Sequence, residues 1–300
     1  MQQFPTQGIL KGTRLGMTDF VALLGVKGGP AIRPGSNMPT SILLSLGERI
    51  ILVDAGLGAT RGVCDQGVNL TEIDAVFITH LHSDHYLELG PLLHTAWTVG
   101  LNRKIPIYGP VGLDDYWRHF LASMAFDIAL RIEDEGRPDL SGLVDMRPLR
   151  EGTVLSDDAL SVSAMLNEHP PIKESYALRF EAGGRAIVLS GDTAYMKTLA
   201  DFARGADLLV HEAMLRDGVD SLVARVANGD DRLRQHILRS HTPAEDVGRV
   251  AAEACVAHLA LNHFVPDGLP EFAAADWTTA VRKTWDGKLT IGTDGLRIDL

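Results

Sequence analysis

Three histidines and an aspartate stand within six consecutive positions, His80-Leu81-His82-Ser83-Asp84-His85. Just ahead of them, Ala75 to Thr79 (Ala-Val-Phe-Ile-Thr) is a short apolar run suited to a buried strand. On extended backbone, residues two apart face the same side, so His80 and His82 project together. Asp84 and His85 follow in the loop that enters the next helix. Four donors this crowded at the edge of a core need something cationic, because buried polar groups are costly without partners. Imidazole suits zinc, nickel, copper or iron, and the added carboxylate keeps zinc, iron and manganese in play. A solvated histidine-rich loop would explain the same residues only if the strand before it were polar.

Such a loop is half a site. Three matching residues fall at the ends of other expected strands: His169 in Asn167-Glu168-His169-Pro170-Pro171, Asp192 in Ser190-Gly191-Asp192-Thr193, and His263 in Leu261-Asn262-His263-Phe264. A lone histidine is more often a surface residue than a ligand, and a lone Gly-Asp more often a turn. Their order after the first motif is what raises them. His94, His119, His236 and His258 lie in expected helices or just before a strand, without spaced partners, and read as ordinary residues. Tyr86, Tyr176 and Lys173 are near the motifs but too common in type to assign.

The elements that must position these residues alternate between strand and helix. Strands are expected at Ser41–Leu46 and Arg49–Val53, joined at Gly47, and at Ile105–Tyr108, Arg185–Leu189, Asp207–Val210 and His258–Leu261. Helices are expected from about Tyr86 to Leu101 and from Leu113 to Met124. Thr242-Pro243-Ala244-Glu245 reads as a capping box with proline at the first helical position, opening a helix that runs to about Cys255. Arg131 to Arg150 has weak periodicity and reads as irregular, a loop over the site. The interleaving predicts a layered α/β architecture.

The chain has 300 residues, 45% apolar and 22% charged, with a formal charge of −11. We treat residues 1–300 as one domain with ample core. An acidic chain is a poor candidate for sequence-independent nucleic-acid binding, which needs clustered Lys and Arg. Cys64 and Cys255 form no disulfide scaffold. The N-terminus has no apolar signal region, and no run of 18 apolar residues occurs. The expectation is a soluble cytoplasmic protein with no membrane partner.

The ordered set His80-x-His82-x-Asp84-His85, His169, Asp192 and His263 resembles the metallo-β-lactamase superfamily, in its ribonuclease Z and arylsulfatase-like branch. Leu52-Val53-Asp54-Ala55-Gly56 is similar to the turn whose aspartate supports the ligands, and Gly25-Val26-Lys27-Gly28-Gly29-Pro30 to the branch's glycine-rich turn. His211-Glu212-Ala213 looks like its HEAT motif, with Met214 replacing threonine. His241 resembles the histidine before the following helix. The likeness spans roughly residues 20 to 265.

The resemblance implies a four-layer αββα sandwich and two divalent ions, zinc first, with manganese or iron also admitted by the donors. His80, His82 and His169 would hold one ion, Asp84, His85 and His263 the other, and Asp192 would bridge them. It implies hydrolysis by a hydroxide shared between the ions, oriented by Asp84. Asp54 would fix a ligand imidazole. His241, paired with Glu212, would give the leaving group its proton; His211 would support the site or take part. The branch also implies a homodimer, although the sequence shows no interface signature.

Ribonuclease Z enzymes carry an arm that grips transfer RNA, inserted in one bacterial form between the third histidine and the Gly-Asp motif. Here Pro170 to Gly191 offers only Tyr176-Ala177-Leu178-Arg179-Phe180 and Gly183-Gly184, one hairpin. With the acidic charge, this favours a small-molecule ester: a phosphodiester or aryl sulfate ahead of a lactone or carboxylic ester. Transfer RNA processing is the disfavoured alternative. A non-hydrolytic protein on the same scaffold would lack ligands, and an iron-dependent redox member is an outlier that metal analysis would expose.

Overall fold

The computed structural model describes residues 18–226 and 230–300. Its architecture is αββα, two mixed sheets face to face with helices outside. The first sheet contains β1 (Phe20–Gly25), β2 (Ser41–Leu46), β3 (Arg49–Val53), β4 (Ala75–Phe77), β5 (Ile105–Gly109) and β6 (Val144–Pro148), closed at its far edge by β14 (Leu296–Asp299). The second contains β7 (Gly152–Ser156), β8 (Ser161–Leu166), β9 (Tyr176–Ala182), β10 (Arg185–Leu189), β11 (Leu208–Met214), β12 (His258–Val265) and β13 (Lys288–Ile291), in reverse spatial order. In each sheet antiparallel pairing gives way to parallel pairing, at β3–β4 in the first and β10–β11 in the second.

Most central strands are apolar at nearly every position because both faces are covered. In β1, Val21 and Leu23 join the core shared with Leu178 and Phe180 of the second sheet, while Phe20, Ala22 and Leu24 face the outer helices. Phe77 stacks on Tyr108 at 4.6 Å within its sheet and meets Phe180 of the other edge-on at 5.5 Å. Each fully buried side chain of this kind stabilises the fold by ~1.5–3 kcal/mol. Against the first sheet lie α1 (Ala59–Asp65), α2 (Ser83–Tyr86), α3 (Leu89–Thr98), α4 (Leu113–Ser123) and α5 (Ala125–Glu135). The second is covered by α6 (Lys197–Phe202), α9 (Ala244–Ala254) and α10 (Ala274–Val281). Between β11 and α9, α7 (Arg216–Ala224) and α8 (Asp231–Ser240) pack together around a small core of their own.

The structure corrects four sequence expectations. Arg131–Arg150 is not a loop over the site: it holds the end of α5, a 3-10 turn at Leu140–Leu143 and the edge strand β6. Arg131 pairs with Asp127 and Glu135 at helical spacing, a stabilising pattern that the weak apolar periodicity concealed. The expected Tyr86–Leu101 helix is two helices, broken where Glu88 turns its carboxylate onto the backbone N–H groups of Gly58 and Thr60. Strands β11 and β12 run on past Val210 and Leu261 because each pairs with the other through the site residues. The Thr242 capping box does not form. The Thr242 hydroxyl donates to the Thr193 carbonyl at 2.7 Å, Glu245 binds Lys283 instead, and the helix starts at Ala244. A tertiary partner has outcompeted the local cap. No helix among the described residues is long and apolar enough to cross a membrane.

Candidate metal centre

The carboxyl ends of the parallel strands meet along one edge of the two sheets, the usual place for a site in such architectures. Asp54 follows β3, the His80–His85 run follows β4, and Asp192 follows β10. His211 and Glu212 lie near the end of β11, and His263 lies in β12.

Backbone geometry aims several of these side chains. Glu212 pairs with Asn262 and Ala213 with Phe264, which leaves His263 as an extra, bulged residue at φ 44°. A bulge re-aims a side chain, and such strain persists only where surroundings impose it. Gly28 packs so tightly on His263 that a β-carbon there would lie 2.9 Å from its ring. The next residue, Gly29, donates its N–H to Asp84 at 2.8 Å. Gly191 adopts φ 57°, and a β-carbon would come within 2.5 Å of the Tyr176 carbonyl, so only glycine makes the turn into Asp192. Asn167 braces that turn, donating to the carbonyls of Ser190 and Asp192.

The seven expected ligands converge. Donor atoms of His80, His82, His169 and Asp192 lie within 4.8 Å of one another, as do those of Asp84, His85 and His263. One oxygen, Asp192 Oδ2, is 3.1 Å from His263, 3.4 Å from His85, 3.7 Å from His80 and 3.8 Å from His169. It reaches both groups, as a bridging carboxylate would.

The outward nitrogens are anchored. His85 Nδ1–H donates to Asp54 at 2.7 Å, and His169 Nδ1–H to the Ser240 carbonyl at 2.9 Å. Asp54 also accepts from the backbone N–H and hydroxyl of Thr79, whose hydroxyl touches His80 Nδ1 at 3.2 Å. These bonds turn the free nitrogens toward the cluster, as partners of ligating histidines do.

The residues fit divalent ions. His80 and His169 Nε2 each crowd His82 Nδ1 at 3.0 Å, and buried His85 Nε2 has no hydrogen-bond partner among the described residues. Burial pushes His80 well below the usual imidazole range and His169 down to about 4, so both are neutral donors near neutral pH. Burial opposes charge on Asp192, but His263 and His85 outweigh it and hold the carboxyl well below its ordinary value. Neutral His80 and His169 beside the ionised Asp192 carboxylate suit a zinc-type donor set. We expect added Zn2+ to raise the thermal midpoint of chelator-treated protein. The gain is ~2.7 kcal/mol at a free concentration of about a hundred times Kd. An unchanged midpoint in calorimetry would count against a folded-state metal site.

Beside the cluster, His241 Nδ1 faces Glu212 Oε1 at 3.3 Å, and that oxygen also accepts from the backbone N–H groups of Thr193 and Thr242. Burial works against a charged His241, but Glu212 overrides it and raises its pKa to about 9. A His241 ring nitrogen lies within 4.8 Å of donor atoms of Asp192 and His263, near enough to deliver a proton or to ligate. His211 is fully buried, its Nδ1 on the Glu212 carbonyl at 2.7 Å, and does not line the cleft over the cluster. Tyr176 and Tyr86 are also set aside, the first bonded to the Leu149 carbonyl and the second packed on Tyr116.

Several cleft residues escaped the sequence reading, among them His236, Lys27 and Arg33. His236, read as ordinary, faces the site from α8, its ring 5.8 Å from that of His82 and 6.4 Å from that of His241. Its spacing with Leu233 and Ile237, one helical face, was the available signal. Lys27 lay in the noted glycine-rich turn without a role. It is buried, donates to the carbonyls of Gly28 and Gly29, and lines the cleft.

Fold and site together define a metallo-hydrolase scaffold of the metallo-β-lactamase superfamily, and the chain belongs to that superfamily in its ribonuclease Z-like branch. It is also a member of the family described as Anti-Pycsar protein Apyc1, whose model matches residues 21–254. A ribonuclease Z of Mycolicibacterium gilvum is 31% identical over 283 residues, covering 93% of this chain and 96% of that protein. Among solved structures, the metallo-β-lactamase fold protein YhfI of Bacillus subtilis superposes with a TM-score of 0.67 at 21% identity, over 95% of this chain and all of that one (100%). The short form of human tRNase Z superposes at 0.64 and 21% identity, over 93% and 98%. These two likenesses are of fold.

Proposed function

We propose that the protein is a metal-dependent hydrolase of small phosphodiesters. The observation that carries this reading is the position of Asp192 Oδ2 between two imidazole groups, beside the His241–Glu212 pair. His80, His82 and His169 would hold one divalent ion, Asp84, His85 and His263 the second, with Asp192 between. Zinc is the first candidate, manganese or iron the others. Ions bound there would supply Lewis-acid polarisation of a phosphoryl oxygen and water of lowered pKa.

The chain's own residues do the rest. Asp84, fixed by Gly29, orients the attacking water. His241 holds a proton that Glu212 keeps on its ring, and releases it to the leaving oxygen. Lys27 and Arg33, which line the cleft, offset the substrate's negative charge. Water is displaced by the α7–α8 side chains that line the remainder.

A cleft of about 270 Å³ supports a small substrate. Between His169 and Asp192 the chain folds as the β9–β10 hairpin paired inside the second sheet, which leaves no protruding arm in that interval. A second reading, transfer RNA 3′-end processing, draws on the ribonuclease Z relative matched over nearly its whole length. Aryl sulfate, lactone and carboxylic ester hydrolysis remain further alternatives on the same site.

The test is turnover of bis(4-nitrophenyl) phosphate, 4-nitrophenyl sulfate, a lactone and a precursor transfer RNA by one zinc-loaded sample. The expected result is preferred cleavage of the phosphodiester, abolished by chelation. Efficient cleavage of the precursor alone would favour the second reading, and activity after verified metal removal would refute both.

A further inference from the structure

Between the two sheets, on the core side of the donor cluster, lies a second and smaller space of about 20 Å³. Thr40 and Val53 bound it from the side of the first sheet, Glu212 and Asn262 from the second. Glu212 and Asn262 are only 2% and 4% exposed. Each carries an oxygen with no hydrogen-bond partner among the described residues, Glu212 Oε2 and Asn262 Oδ1. Their other polar atoms are committed. Glu212 Oε1 meets the N–H groups of Thr193 and Thr242 and the His241 ring, and Asn262 Nδ2 donates to the Thr40 hydroxyl at 3.0 Å. The two residues are paired on the neighbouring strands β11 and β12. Their side chains therefore leave the sheet on one face, about 5 Å apart. Two buried acceptors that face one small space without a donor are costly to leave so.

We infer that this space is a built site for a single water molecule, which donates one hydrogen to Glu212 Oε2 and the other to Asn262 Oδ1. Volume and donor count both select it. A buried water needs roughly 10–15 Å³ of such space and makes about three hydrogen bonds. Two orphan acceptors match its two O–H groups, and a separation of about 5 Å suits two bonds of about 2.8 Å meeting at an angle. A hard cation takes about six oxygens or more, and only two here lack partners among the described residues. Asn262 is then a positioning residue. Through the water it fixes the plane of the Glu212 carboxylate, so that Oε1 stays on His241. The water site stands on geometry alone; its consequence for turnover rests on the proposed hydrolase reading.

A high-resolution crystal structure of the zinc-loaded protein reads the site directly. One ordered water within hydrogen-bond distance of both oxygens is the expected result. A direct bond from the Asn262 amide to Glu212, a cation ringed by short oxygen contacts, or no density between the two oxygens overturns it. Turnover of bis(4-nitrophenyl) phosphate then tests the positioning role. Asn262→Leu keeps the volume and removes the acceptor. It should lower kcat about tenfold, the scale for groups that orient a site from behind, with KM and metal content unchanged. Asn262→Thr restores an oxygen on a strand-compatible side chain and should recover most of the rate. An unchanged kcat in Asn262→Leu, or an equal loss in both variants, overturns the positioning role. Metal loss in Asn262→Leu also overturns it, because Asn262 would then act through His263 instead. Should Asn262→Leu fail to fold, the crystal structure of the unaltered protein still decides the water site. Ordered water there in a protein that hydrolyses none of the esters would leave the site standing and refute the hydrolase reading alone.

Discussion

Asp192→Ala should strip the site of metal and abolish hydrolysis together. The Asp192 carboxylate is buried, and its Oδ2 lies within 3.1–3.8 Å of nitrogens from four histidines drawn from both donor groups. Among the described residues no other acidic side chain is so placed: Asp84 Oδ2 is near His85 and His263, at 3.6 and 3.3 Å. If two ions are held as proposed, removing Asp192 would take away the anion that offsets their repulsion. Loss of about 4 kcal/mol of transition-state stabilisation corresponds to roughly a thousandfold in rate, and loss of an ion exceeds that. Elemental analysis on the purified variant reads the metal, and turnover of bis(4-nitrophenyl) phosphate reads the rate. A variant that keeps two ions per chain and full activity would refute the bridging role. Asp192→Asn separates charge from shape, since the amide keeps the volume and loses the anion.

The second large effect is expected at His241. His241→Ala should slow turnover by about 10²–10⁴-fold, the range for a positioned proton donor, while metal content stays at the level of the unaltered protein. Metal loss in this variant would instead identify His241 as a ligand, a role its closeness to Asp192 and His263 allows. The pH profile gives a second readout. A proton donor works below its pKa, so activity falls as pH rises through that value. Burial opposes the proton on His241, but the Glu212 carboxylate outweighs it and raises the pKa to about 9. Cations held by the donor cluster would lower the limb in every variant alike. Glu212→Gln removes the anion and should move the alkaline limb to lower pH, with the acidic limb unmoved. An alkaline limb that does not move in Glu212→Gln would exclude this pair as the donor.

Much of this protein was written in local order. The motif His80-x-His82-x-Asp84-His85 follows an apolar strand, and period-two projection with obligatory pairing of buried polar groups makes it a metal-site candidate without coordinates. Strands β2, β3 and β10 have the bounds their apolar runs suggest, since a strand covered on both faces reads as a nearly continuous apolar run. The αββα layering came from resemblance, because alternating elements alone stop at a layered α/β fold. Which histidine joins which was a matter of tertiary structure. His263 reaches the cluster through a bulge formed only when β12 pairs with β11, and the Asp192 turn depends on the Tyr176 carbonyl beside Gly191.

The same physics explains the misreadings. Thr242 had the local signal of a helix cap, yet the carbonyl of Thr193 and the carboxylate of Glu212 claimed its hydroxyl and N–H. His236 looked like any surface histidine on a polar helix until α8 folded over the donors. Local spacing determined which residues were fit to hold a cation. Only the packing of two sheets and one helical pair decided which of them face each other, because those partners lie tens to hundreds of residues apart and no periodicity along the chain records such distances.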